Sequence, residues 1–156
     1  RRSCDLHYTG MQHVGYVCYK EKTAYEMIKF SVNLHRGCFG GCSFCTISAH
    51  QGKIISSRSE RSILAEVENV TKMEGFRGYL SDIGGPSANM YGMGGRDKTL
   101  CARCTRPSCL HPKPCQNLDN SHDRLLTLYR RISGVAGINK AFIGTVIRSD
   151  LFDRND

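Results

Sequence analysis

Cys38, Cys42 and Cys45 stand in the spacing C-x3-C-x2-C within Arg-Gly-Cys-Phe-Gly-Gly-Cys-Ser-Phe-Cys, residues 36–45. Thiolates so closely spaced can converge on one metal centre, and Gly37, Gly40 and Gly41 let the backbone between them curl without Cβ clashes. A structural zinc ion or an ordinary iron–sulfur cluster takes four protein ligands. The loop therefore either finds a distant fourth ligand, for which His35, His50 and another cysteine are candidates, or leaves one metal position open for chemistry. A second set, Cys101, Cys104, Cys109 and Cys115, is spaced C-x2-C-x4-C-x5-C. Four thiolates in that compass suffice to close a zinc site or an auxiliary iron–sulfur cluster, although the spacing is not that of a zinc ribbon with paired C-x2-C knuckles. The alternative for this second set is free thiols in a loop.

These residues need a frame. Ile28, Phe30, Val32 and Leu34 alternate with polar neighbours and predict a strand over 27–34 that delivers the first cysteine loop at its C-terminal end. Ser57-x-x-Glu60 reads as a capping box for a helix carrying Ile63, Leu64, Val67, Val70 and Met73 on one face, with Gly75 as its stop. Arg77 to Ile83 predicts a second strand ending in Gly84-Gly85-Pro86, and the right-handed crossover rule makes the two strands parallel. Ser121 is a candidate cap for a helix with Leu125, Leu128, Tyr129 and Ile132 along one face, and Lys140 to Ile147 predicts a third strand. Between them, residues 87–120 show little periodicity, and Pro107, Pro112 and Pro114 exclude a helix among the cysteines.

In parallel α/β folds the loops after the strands form the ligand face. Asp82 and the trio Arg148, Ser149 and Asp150 would then open onto the same mouth as the cysteine loop. His35 and Arg36 precede that loop and His50-Gln-Gly-Lys53 follows it, while His122 at a helix start reads as structural.

With 156 residues and 40% hydrophobic content, the chain can bury one sizeable core. Clustered cysteines, nine in all, suit metal binding in a reducing cytoplasm better than a secreted disulfide scaffold, and no stretch approaches membrane-span length. The formal charge of +8 is scattered rather than striped. Solvated surface explains it better than a nucleic-acid interface, with RNA the polyanion to consider. Residues 1–25, with Cys4 and Cys18 as ordinary thiols, read as an irregular lead-in. The missing initiator Met and the short tail after the third strand suggest a piece of a longer protein.

Residues 24–45, in which Phe44 precedes the third cysteine, together with Ser81-Asp-Ile-Gly-Gly-Pro-Ser-Ala-Asn-Met-Tyr91, resemble the YgiQ-type family of radical S-adenosylmethionine (radical SAM) proteins. The likeness runs from about His13 onward, where His13-Val-Gly-Tyr16 is similar to a His-Pro-x-Tyr element with Val14 in place of the Pro. The resemblance implies an α/β fold in which residues 26–156 are the N-terminal part of a (β/α) barrel, roughly its first three strands, with the Cys-rich stretch at about 87–120 as an insertion. Such an open piece would expose a strand edge and an apolar face.

The resemblance also implies a [4Fe-4S] cluster on Cys38, Cys42 and Cys45 whose fourth iron chelates the amino and carboxylate groups of SAM. Reductive cleavage would yield methionine and a 5′-deoxyadenosyl radical, with flavodoxin or ferredoxin as the kind of electron donor required. Phe44 would lie beside the adenine. Gly84 and Gly85 are similar to the start of the Gly-Gly-Glu element that receives the SAM amino group, with Pro86 where the Glu would stand, so main-chain carbonyls would have to accept from the ammonium. The competing expectation is a non-catalytic, zinc-stabilised binding module, for RNA in the first instance.

Overall fold

The computed structural model describes residues 23–152, so Cys4, Cys18 and the His13-to-Tyr16 element lie outside the described residues. The first described element is a helix, α1 (Thr23–Ile28), where a strand and the end of an irregular lead-in were expected. The alternation that predicted a strand from Met27 misleads at its start. Met27 and Ile28 are exposed, and Phe30, Val32 and Leu34 alone carry the buried pattern. A Glu26–Lys29 ion pair of 2.5 Å and the Lys29 N–H donating to Tyr25 O close the short helix instead.

Strand β1 (Ser31–Asn33) pairs in parallel with β5 (Asp82–Gly84), Val32 opposite Ile83 and Asn33 opposite Gly84. Strand β4 (Tyr79–Leu80) pairs in parallel with β8 (Lys140–Ala141). Residues 79–84 thus run as one extended segment broken at Ser81, bonded on one side by Ser81 N–H to Phe30 O and Leu34 N–H to Gly84 O, and on the other by Ile83 N–H to Phe142 O. The expected third strand is regular only over Lys140–Ala141, and beyond it Val146 O still accepts from Ala88 N–H. Among the described residues the sheets are small and no closed barrel is formed; the architecture is mixed α/β.

Two helices return the chain between these strands. Helix α3 (Glu60–Thr71) starts two residues later than the expected box: Ser59 is its cap and accepts from Ser62 N–H at 3.3 Å. Ser57 lies instead in β3 (Ser56–Ser57), antiparallel to β2 (His35–Arg36), and its Oγ accepts from Gly92 N–H. Helix α5 (Asp123–Ser133) has His122 at its cap without a side-chain bond, while Ser121 Oγ accepts from Asp123 N–H one step outside. Ile63, Val67 and Val70 of α3 and Leu125, Leu128 and Ile132 of α5 pack on Phe30, Val32, Leu34, Leu80 and Ile83. Each fully buried aliphatic side chain of this kind contributes about 1.5–3 kcal/mol.

The stretch 87–120 is more ordered than its lack of periodicity suggests. Helix α2 (Ile47–Gln51) lies before it, and within it a 3-10 turn (Ala88–Met90), an antiparallel pair of β6 (Gly94–Gly95) with β7 (Leu118–Asp119), and helix α4 (Lys98–Ala102) are formed. Cys101 is helical, against expectation. The prolines forbid a helix only after it, and Asp97 caps α4 by accepting from Thr99 N–H and Leu100 N–H. Phe142, Ile143, Val146, Ile147 and Phe152, around the end of the third extended segment, are exposed.

Candidate functional site

The first cysteine loop leaves β2 directly and is anchored at its start to the end of α2. Gly37 N–H donates to Gln51 Oε1 and Cys38 N–H to Gly52 O, while Cys45 N–H turns back to Cys42 O. Gly41, at φ 61°, occupies the left-handed region and lies where a Cβ would press on Pro107 O and Ser108. Cys38 is buried; Cys42 and Cys45 are half-buried, and Phe44 is exposed to 89%. The ring expected beside an adenine is therefore left open by the described residues.

The second set sits against the first. Ser108 Oγ donates to Gly40 O at 2.7 Å and Cys109 N–H to Phe39 O at 3.0 Å, so the lobe from 101 to 115 is stitched to the loop's backbone. Cys38 and Phe39 share an apolar cluster with Met90, Met93, Leu110 and Leu118, against which Cys109 and Cys115 also pack. Burial pushes the Cys109 thiol up; Lys53 opposes this, and the thiols of Cys115, Cys104 and Cys101 are near enough to add to it. Cys104 is lowered, first by the Arg106 backbone N–H and then by Lys53, whose Nζ lies 3.7 Å from its sulfur while donating to Arg106 O. Asn117 Nδ2 donates to Cys101 Sγ.

All seven described cysteines are free thiols. Among the described residues no group of three or more His, Cys, Asp or Glu side chains is gathered tightly enough to hold a metal ion as it stands. As donor sets the two groups still differ. The first has three thiols, and among the described residues no His, Cys, Asp or Glu gathers with them as a fourth ligand. That fits a cluster with one open iron better than a zinc ion that needs a closed tetrahedron. The second has four thiols around Cys109 beside a cationic lysine, which fits a closed site of either kind.

Gly84 ends β5 opposite Asn33 at the end of β1, and Gly85 follows it, as their sequence position implied. A Cβ at Gly85 would collide with the His35 imidazole, and one at Gly84 with Thr145 Oγ1. Packing inside the protein thus requires both glycines, whatever lies over their backbone. Gly84 O already accepts from Leu34 N–H at 2.7 Å, leaving one lone pair for a further donor. Burial alone pushes the His35 pKa down from 6.5 to about 4, so the ring is neutral at pH 7.

The end of the third extended segment reaches the first loop. Arg148 Nη1 donates to Cys42 Sγ at 3.1 Å, while its Nε and Nη2 bind Asp150 at 2.9 and 2.5 Å. Asn89, buried and unassigned by the sequence, accepts from Arg148 N–H and donates to Arg148 O, both at 2.9 Å. Of the other residues expected at this mouth, Asp82 accepts from Gly144 N–H and Ser149 opens a 3-10 turn (Ser149–Leu151). Arg36 and His50 are exposed, and His122 stacks on Phe152 with ring centroids 4.9 Å apart. His122, Asn89, Tyr129, Ile147 and Phe152 line a cavity of about 740 Å³ beside α5. No helix among the described residues is long and apolar enough to cross a membrane.

A scan against protein-family models finds no match. The chain is nonetheless strongly similar over nearly all its length to UPF0313 proteins. It is 58% identical over 149 residues to a UPF0313 protein of Bacteroides thetaiotaomicron, covering 96% of this chain and 24% of that protein. It is 59% identical over 154 residues to one of Porphyromonas gingivalis, covering 99% of this chain and 24% of the relative. To UPF0313 protein blr7973 of Bradyrhizobium diazoefficiens it is 49% identical over 148 residues, 94% of this chain and 22% of that one. The chain spans about a quarter of the length of these curated relatives.

Proposed function

We propose that the chain is the cofactor-binding part of a radical SAM enzyme, the first segment of an incomplete (β/α) barrel. The observation that carries this is the first cysteine loop: three thiols just after a strand that pairs in parallel, beside a strand end where Gly84 O has one lone pair left for a further donor. Cys38, Cys42 and Cys45 would hold a [4Fe-4S] cluster, and Gly84 and Gly85 would border bound SAM. When bound, the pair supplies a 5′-deoxyadenosyl radical on one-electron reduction by a donor such as flavodoxin or ferredoxin. The chain's own part is to hold three sulfurs on a loop tied at Gln51 and Gly52, to leave the exposed Phe44 ring free to cover a nucleobase, and to keep the neutral His35 beneath Gly85.

Cys101, Cys104, Cys109 and Cys115 form a separate second site for zinc or an auxiliary iron–sulfur cluster, bracing the first loop through Ser108 and Cys109. Most of the substrate pocket would lie in the part of the longer protein that this chain does not span, and the clustered thiols would suit a reducing cytoplasm. The test is anaerobic reconstitution of the full-length protein, followed by metal analysis and assay for 5′-deoxyadenosine. Iron and sulfide with SAM cleavage is the expected result. Stoichiometric zinc, no broad visible charge-transfer absorption and no cleavage would sink the proposal and leave a zinc-stabilised binding module.

A further inference from the structure

Arg148 and Cys42 are separated by 106 positions in the chain, yet the guanidinium donates to the sulfur at 3.1 Å. Surface arginines rarely hold one geometry, because their side chains carry much rotamer entropy. This one is fixed at both ends. The Asn89 amide clasps its backbone N–H and carbonyl, and Asp150 grips the guanidinium through two nitrogens, leaving Nη1 aimed at the thiol. Gly40 completes the arrangement: a Cβ there would collide with Arg148 Nη1, so the loop is cut away where the guanidinium enters.

Resting on the cluster assignment above, we propose that Arg148 is a positioning residue that tunes the first metal centre through the Cys42 sulfur. A fixed cation donating to a ligand sulfur stabilises the more negative, reduced form, so it raises the reduction potential of a cluster held there. It also ties the end of the third extended segment to the cysteine loop. Asp150 partly offsets the charge. Its chief effect is directional, since two nitrogens bound to a carboxylate hold the third toward the thiol.

The test is a redox titration, followed by electron paramagnetic resonance, of reconstituted full-length protein carrying Cys104→Ala and Cys109→Ala, so that the first set alone reports. Arg148→Gln, Asp150→Asn and Gly40→Ala are compared in that background. Gly40→Ala leaves the arginine in the chain and sets a methyl where its Nη1 lies, with Cys38 Sγ at ordinary contact distance; Gly40 does not occupy the left-handed region, so alanine is accommodated. All three are expected to bind as much iron as the parent and to titrate at a lower potential, Arg148→Gln by the largest margin. An unchanged potential in Arg148→Gln and Gly40→Ala at equal iron content overturns the role of Arg148 and leaves the cluster assignment standing. A parent that assembles no cluster strikes that assignment itself.

Discussion

The two cysteine sets lie against each other but are built by different means. The loop from 38 to 45 hangs from regular structure: a buried parallel strand behind it, α2 after it, and the end of the third extended segment reaching its middle sulfur. The lobe from 101 to 115 holds only the end of the five-residue α4 and is otherwise kept in place by hydrogen bonds of Ser108, Arg106, Asn117 and Lys53 and by backbone bonds such as Cys109 N–H to Phe39 O. A loop on packed elements has its backbone placed without a metal, even though its thiols are not yet gathered, whereas a lobe with so little regular structure depends more on what its thiols bind. The first set is therefore the one suited to chemistry, and the second to bracing.

The sharpest way to break this contrast is to remove one thiol from each set. Cys42→Ala is expected to abolish 5′-deoxyadenosine formation in the reconstituted full-length protein. Cys109→Ala is expected to leave the first cluster assembled, as read by iron content; loss of all iron there would mean the sets are one site. Next in size, Ile63→Ala opens a cavity in the core that carries the first loop and should cost about 2–5 kcal/mol in urea unfolding.

His35 gives the contrast a pH signature. Its pKa in the fold, about 4, lies below its ordinary 6.5, so the unfolded chain takes up the proton first on acidification. Its stabilising contribution is complete above about pH 6.5 and lost as pH falls toward 4, amounting to roughly 3 kcal/mol at about 1.36 kcal/mol per pKa unit. Urea unfolding across that range should lose this increment in His35→Gln relative to the parent protein. An identical pH slope in the two would show that His35 is not the buried neutral group described.

The smallest expected effect is on the seam. Ser108 Oγ donates to Gly40 O and accepts from Leu110 N–H and His111 N–H in a buried position. Ser108→Ala leaves these groups without that partner and should cost about 1–3 kcal/mol. Hydrogen exchange should quicken at Leu110 and His111 rather than in α3.

The frame was legible in the sequence where periodicity is strong. Ile63, Val67 and Val70, and Leu125, Leu128 and Ile132, announce the buried helix faces, and Val32 and Ile83 the parallel pair. Local competition blurred the edges: Ile28 continues an alternating pattern yet ends a helix, and Ser59 outcompetes Ser57 as a cap. His35 and Arg148 were visible as candidates, but the long-range contacts they make were not. A buried asparagine clasping Arg148, and an imidazole filling the space over Gly85, depend on neighbours far away in the chain, and no local pattern signals them.

The central claim is that the first set leaves one metal position open to SAM. The most direct measurement is electron paramagnetic resonance of the reduced, reconstituted full-length protein with and without SAM. A [4Fe-4S] signal is expected whose g-values shift when SAM is added and that Cys42→Ala lacks. A signal identical with and without SAM, or one that survives Cys42→Ala unchanged, would contradict it.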